Sequence, residues 1–392
     1  AQQVYISGAT PASPYYGVVL TAPAGAAYIR FSCMEGDTPK AEQTASAGLG
    51  IIPYEPYAES IDSAYLAPDT LSGKYWQSIP DKIYIDTANS YKIYFRNVLS
   101  LPKMTLWVGT MSGLTTKYYA NYVEISAETA GTRALTWKVY DDNYVLIHAG
   151  SMTVVAKAAA DVIDATALFI GDSTIDQDLE TQGVLDLYTA QTKTLTLLGT
   201  RGTGANQHEG YAGWSARAFA TLDSVGGVTN PFYNPGTSVF DFSYYMTEKE
   251  YAGTDCVVIQ LGINDVYALT MEGYDASVPT TLGHFKSIVD SILSYDATIK
   301  IIISLPTLPN GNLTTFTTKS GTSTMRFAYA NNIIHFARDL MNKFYGYSTV
   351  TFAGLNCVLD TDTDITDNVH PTAGGYTKMA KVVFDAMNTA LT

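Results

Sequence analysis

Two apolar runs in the second half of the chain, Cys256 to Leu261 (CVVIQL) and Ile299 to Leu305 (IKIIISL), narrow the architectures open to it more than any other feature. A strand with one face in water alternates apolar and polar side chains, whereas near-continuous apolar runs suit strands covered on both faces. Ala167 to Ile170 and Thr194 to Leu198 read the same way, as does a less distinct run near Val350 to Phe352 or Asn356 to Leu359. Other apolar residues recur at helical spacing: Leu282, Phe285, Ile288, Val289, Ile292 and Leu293; then Ile333, Ile334, Ala337, Leu340, Met341 and Phe344; then Tyr376, Met379, Ala380, Val383 and Met387. Strands alternating with helices predict an α/β fold with a doubly wound parallel sheet, and such sheets carry their sites where the strands end.

The rhythm is different before Lys157. Runs at Lys82 to Ile85, Tyr91 to Phe95, Met104 to Val108, Tyr119 to Ile125, Leu135 to Tyr140, Tyr144 to His148 and Met152 to Ala156 follow one another with turn residues such as Asp141-Asp142-Asn143 between them. Short strands at even spacing predict an all-β sandwich. The small, aperiodic stretch Lys157 to Thr166 marks the junction. Residues 1–60 have β-like runs but too few apolar positions for a core of their own. The expected organisation is therefore an N-terminal β-rich extension or end of an upstream module (1–60), a β-sandwich accessory domain (61–160) and an α/β catalytic domain (161–392).

Lys plus Arg number 23 against 37 Asp plus Glu in 392 residues, a net charge of −14. Binding a polyphosphate needs clustered cations, so nucleic acid is not an expected partner. The three cysteines, Cys33, Cys256 and Cys357, have neither CxxC nor metal-ligand spacing, which predicts buried thiols, no metal site and at most one disulfide. No apolar run is long enough to span a bilayer. The start Ala1-Gln2-Gln3 and a composition rich in Tyr, Thr, Ser and Gly suggest a mature secreted or cell-surface protein whose signal has been removed. Oligomeric state is not legible.

The residues just past each strand carry the chemistry. After Ala167 to Ile170 comes Gly171-Asp172-Ser173, and after Cys256 to Leu261 comes Gly262-Ile263-Asn264-Asp265. Glu209-Gly210-Tyr211-Ala212-Gly213-Trp214-Ser215 is a glycine-bearing loop leading into a short helix, and Asp367-Asn368-Val369-His370-Pro371 precedes the last one. A serine hydroxyl needs a base to remove its proton, and histidine titrates near neutrality. A carboxylate three residues before that histidine can hold the imidazole in the right tautomer. The amides of Ser173 and Gly213 and the Asn264 side chain are suitable in kind as oxyanion donors.

On these four blocks the sequence resembles the SGNH, or GDSL-type, hydrolases, flavodoxin-like esterases and lipases. The resemblance covers roughly residues 165 to 392. It implies Ser173 as nucleophile, His370 and Asp367 as its partners, and an oxyanion hole from Ser173, Gly213 and Asn264, with no cofactor and no metal. Gly210 or Asn234 are alternatives for the position given to Gly213. Members with a preceding β-sandwich resemble secreted carbohydrate esterases, so the expected reaction is removal of small acyl groups, acetyl foremost, from a glycan or other small ester. A lysophospholipase or thioesterase is the rival among enzymes; a non-catalytic glycan-binding attachment protein is the rival outside them.

Several residues have plainer readings. The Asp-rich loop Asp360, Asp362, Asp364, Asp367 is either a solvated loop or a calcium loop, though it lacks the glycine and closing glutamate of an EF-hand. His208 and Glu209 either line the site or serve structure. The run Gly199 to Gly204 lacks the Gly-Lys-Ser/Thr ending of a phosphate loop and reads as a turn. His148, His284 and His335 read as structural, and Tyr75 and Trp76 as packing residues rather than a sugar platform.

Overall fold

A computed structural model of the chain describes residues 77–100, 105–109, 112–140, 146–158, 161–320 and 323–392. Readings that fall on residues 1–60, and on Tyr75 and Trp76, lie outside the described residues.

Among the described residues ahead of 158, seven strands form two sheets: β1 (Lys82–Asp86), β2 (Ser90–Tyr94), β3 (Thr105–Val108), β4 (Leu114–Tyr118), β5 (Tyr122–Ala127), β6 (Gly131–Tyr140) and β7 (Leu146–Lys157), with a helical turn α1 (Phe95–Val98) after β2. One sheet has the order β1-β7-β6-β3 and the other β2-β5-β4. Alternation explains which faces they bury: in β5 Val123, Ile125 and Ala127 point inward while Tyr122, Glu124 and Ser126 are half-exposed. Two expected strands, Tyr144 to His148 and Met152 to Ala156, give way to the single strand β7 over the described residues, from Leu146 on. Gly150 between them is no turn, because the indole of Trp137 lies over it, and a Cβ there would stand 2.4 Å from Cζ2. Tyr119 opens the β4–β5 turn instead of starting a strand, its N–H donating to Tyr122 O at 2.9 Å.

The second part is built on β8 (Ala165–Gly171), β9 (Leu195–Leu198), β10 (Arg201–Thr203), β11 (Asn206–Gly210), β16 (Cys256–Gln260), β17 (Lys300–Ser304) and β18 (Val350–Ala353), with two small ladders, β12 and β13 (Ser224–Val225, Val228–Thr229) and β14 and β15 (Tyr233–Asn234, Val239–Phe240), in the connection before β16. The order is β10-β11-β8-β16-β17-β18, with β9 also on β8. β9 pairs with the first half of β8 and β11 with its end, so the two share one edge. The sheet is mixed where an all-parallel one was expected. β10 runs antiparallel to β11 through a two-residue turn at Gly204-Ala205, where Gly204 has φ +61°, a conformation glycine adopts at little cost. The run Gly199 to Gly204 is therefore part strand. The last strand is β18, and the alternative at Asn356 to Leu359 is helix α10 (Leu355–Val358).

The remaining helices are α2 (Ser173–Asp176), α3 (Leu179–Ala190), α4 (Ala216–Thr221), α5 (Phe242–Glu248), α6 (Ile263–Val266), α7 (Met271–Tyr295), α8 (Leu313–Ser320), α9 (Ser323–Lys343) and α11 (Ala373–Leu391). They cover both faces of the sheet. Ala167, Phe169, Val258 and Ile302 pack toward α3 and α11, while Leu168, Ile170, Val257, Ile259, Ile301 and Ile303 pack toward α4, α7 and α9. The α11 side is continuous with the interior of the β-rich part, so Ile83, Ile93, Val123 and Val154 share one apolar cluster with Met379, Val383 and Met387. Pro68–Thr392 accordingly forms one compact unit.

Candidate active site

β8 is buried along almost its whole length and stops at Gly171 because the next turn crowds it. A Cβ on Gly171 would stand 2.3 Å from Ile175 Cγ1 and 3.2 Å from Gln260 O, so glycine here lets the Ile175 side chain of α2 fold back over the end of β8. Asp172 caps α2: its carboxylate accepts from Thr174 N at 2.9 Å and from Thr174 Oγ1 at 2.7 Å, and its carbonyl from Ile175 N and Asp176 N. That cap leaves the Ser173 N–H unengaged by Asp172. The Ser173 hydroxyl stands 2.9 Å from His370 Nε2, and His370 Nδ1 stands 2.8 Å from Asp367 Oδ2. Residues 197 positions apart are thus joined in a Ser–His–Asp relay.

Asp367 is held on its other oxygen too. Its Oδ1 accepts from Val369 N at 2.9 Å and from His370 N at 2.8 Å. Partial burial pushes the Asp367 carboxyl up, but the backbone and side-chain hydrogen bonds from His370, that from Val369 N and the imidazole's charge outweigh it and leave it below the usual carboxylate range. The carboxylate form that orients His370 Nδ1–H is therefore the stable one at neutral pH. The loop's other acids have partners within the chain: Asp362 pairs with Arg96 at 2.8 Å and Asp364 with Lys378 at 2.6 Å.

The second and third blocks meet each other. The Tyr211 N–H donates to Gly171 O at 2.9 Å, which ties the glycine loop to the end of β8. Gly213 has φ +78°, a left-handed turn that favours glycine. Asn264 lies on α6, after Gly262 at φ +112°, and its Nδ2 donates to Trp214 O at 2.9 Å, one residue past Gly213. Asp265 Oδ2 accepts from Ala216 N at 3.0 Å, while Ser215 caps the same helix through Ala218 N. Of the alternatives to Gly213, Gly210 is packed against α2, where a Cβ would meet Asp176 N at 2.6 Å. Asn234 is held in its own hairpin, where its Nδ2 donates to Asp241 at 2.8 Å and its Oδ1 accepts from Gly236 N at 2.8 Å.

His208 and Glu209 are buried and serve the loop. His208 Nδ1 accepts from Gly210 N at 3.0 Å, and its Nε2 lies 2.5 Å from Asp178 Oδ1, so both ring nitrogens are engaged. Glu209 accepts from Thr200 N, Thr200 Oγ1, Tyr211 OH and Tyr245 OH. Polar side chains as well satisfied as these act as struts.

Beneath the Ser173 turn lies an acidic network that the sequence reading missed. Gln260 Nε2 donates to Thr174 Oγ1 at 2.8 Å and to Glu180 Oε2 at 2.9 Å. Burial pushes the Glu180 carboxyl up to about 8 and, against the hydrogen bonds from Thr174, the Asp172 carboxyl up to about 6. A cavity of about 10 Å³, room for one water, is lined by Asp172, Thr174, Gln260, Ile263 and Thr307. Asn310 was missed as well, although it follows β17 in Pro309-Asn310-Gly311 and the rule that picked out Ser173 and Asn264 also points to it.

The flavodoxin-like strand order, with these blocks near the strand ends, is the arrangement expected of the family the sequence resembles. The chain belongs to the GDSL-like lipase/acylhydrolase family, whose model matches residues 168–383. A multidomain esterase of Ruminococcus flavefaciens is 28% identical over 133 residues, which are 34% of this chain and 15% of that protein. The chain thus matches a small part of that relative's length. Among solved structures, a carbohydrate esterase family 3 protein from Talaromyces cellulolyticus superposes with TM-score 0.36 at 16% identity, covering 58% of this chain and 97% of the other. A carbohydrate acetylesterase family member from Sinorhizobium meliloti gives 0.35 at 14%, covering 58% and 98%.

Proposed function

We propose that the protein is a serine carboxylic-ester hydrolase that removes small acyl groups, acetyl foremost, from a carbohydrate. The observation that carries this reading is the relay Ser173 Oγ to His370 Nε2 at 2.9 Å and His370 Nδ1 to Asp367 Oδ2 at 2.8 Å. His370 takes the hydroxyl proton as Ser173 Oγ bonds to the ester carbonyl carbon. The oxyanion accepts from the Ser173 and Gly213 amides and the Asn264 carboxamide. His370 then returns the proton to the leaving sugar oxygen, the C–O bond breaks and an acyl-Ser173 ester remains. Water, deprotonated by the same imidazole, attacks that ester; the carboxylic acid leaves and Ser173 recovers its proton.

Membership of an acylhydrolase family and the esterase name of the Ruminococcus flavefaciens relative support ester hydrolysis. The two-sheet region reads as an accessory β-sandwich, as in the secreted carbohydrate esterases that the sequence resembles, and this favours a glycan and an extracytoplasmic location. No helix among the described residues is long and apolar enough to cross a membrane. Acetate release from a panel of acetylated glycans, beside p-nitrophenyl acetate and octanoate, tests the reading. It predicts release from at least one glycan, acetate preferred over octanoate, and loss of at least about 10³-fold in Ser173→Ala. Preference for octanoate moves the substrate to lipids; binding without turnover makes the protein an attachment module.

A further inference from the structure

The loop that carries Asp367 and His370 is gripped from β17's side by a single buried side chain. Asn310, 1% exposed, donates from Nδ2 to Ile365 O at 2.9 Å and to Asp367 O at 2.7 Å, and its own N–H donates to Asn368 O at 2.9 Å. Its remaining acceptors are engaged: Oδ1 takes Asn312 N at 2.8 Å and the carbonyl takes Arg326 Nε at 3.0 Å. Every polar group of this residue is thus committed, its three N–H groups to the carbonyls of Ile365, Asp367 and Asn368.

We propose that Asn310 is a positioning residue of the reaction: its carboxamide fixes the Asp367 backbone so that the Asp367 carboxylate meets His370 Nδ1. The proposal rests on the serine-esterase reading of the site. Asp367 touches His370 through its carboxylate and Asn310 through its carbonyl, so the two contacts hold one residue from opposite ends. Only a side chain with two N–H groups can bridge two carbonyls in this way. Aspartate has nearly the same shape but no N–H, and it would set a carboxylate against the carbonyls of Ile365 and Asp367. The same fold with a loosened relay is the expected consequence, and displacement of about 1 Å at a reacting group costs about 10²-fold.

The test is Asn310→Asp, with Asn310→Ser as the milder variant should the first fail to fold, each checked by its thermal transition. The proposal predicts kcat for p-nitrophenyl acetate down about 10²-fold with KM within about twofold, and loss of the far-downfield proton resonance that the His370 Nδ1···Asp367 contact predicts for the wild type. A folded variant that keeps kcat within about threefold and retains that resonance overturns it. Should the wild type turn over no ester, the esterase reading fails by itself. The resonance still decides: its loss in the variant supports the role of Asn310, and its persistence removes it.

Discussion

At the scale of single residues, the Ser173 turn rests on carboxyls that burial keeps protonated well above their usual range. Glu180 is fully buried and accepts a hydrogen bond from Gln260, while its Oε1 has no partner among the described residues. Burial raises it from 4.5 to about 8. Between those values the unfolded chain has released a proton that the folded chain keeps, so this group makes stability fall as pH rises from about 4.5 to about 8 and level off above. Glu180→Gln keeps the shape and the acceptor for Gln260 and removes the titration. Chemical denaturation from about pH 5 to pH 8 should show the variant's midpoint falling less than the wild type's, a difference amounting to a few kcal/mol at most. Parallel curves would mean that Glu180 is not protonated in the fold.

Among elements, the turns after β8, β11 and β16 decide the geometry, and glycine permits each for its own reason. Gly171 is crowded by Ile175 and Gln260 O, whereas Gly213 has nothing within 4 Å of where its Cβ would lie but a φ of +78°. Gly213→Ala is therefore strained by its backbone alone, about 1–2 kcal/mol, and relief comes by moving the amide assigned to the oxyanion hole. We expect its kcat to fall about 10- to 10³-fold with KM little changed, and steady-state kinetics on p-nitrophenyl acetate will show it. Wild-type kcat in Gly213→Ala would assign that amide no role. The first and third blocks were legible because each follows an apolar strand, β8 and β16, and the fourth because Asp367 and His370 stand at a three-residue spacing before the last helix. β11 was not, since NQHEG has no apolar run and its buried His208 and Glu209 look like surface residues until Asp178, Thr200, Tyr211 and Tyr245 are seen around them. Asn310 escaped because an Asn-Gly pair after a strand signals a turn, and its bonds to residues 365, 367 and 368 are long-range.

Over the whole molecule, the change of rhythm near Lys157 is visible in the sequence, but the continuity of the interior across it is not. Ile83 and Val154 share a cluster with Val383 and Met387, Tyr91 OH donates to Gly354 O at 2.9 Å, Asn97 Nδ2 to Leu359 O at 2.8 Å, and Lys381 on α11 reaches Asp86 on β1 at 3.4 Å. Periodicity tells which side chains are buried, not what they are buried against. Residues 77–392 should therefore unfold in one cooperative transition, and a chain beginning at 161, which uncovers that face of α11, should be markedly less stable or insoluble. Calorimetry that resolves two transitions, or a 161–392 fragment as stable as the full chain, would contradict this.

The central claim is that Ser173 is the nucleophile of an ester hydrolase. Intact-mass and peptide mass spectrometry after exposure to a fluorophosphonate ester measures it directly. The account predicts one adduct per chain, located on Ser173, formed in step with the loss of p-nitrophenyl acetate turnover and absent from Ser173→Ala. An adduct on another residue, or turnover that persists in Ser173→Ala, would contradict it.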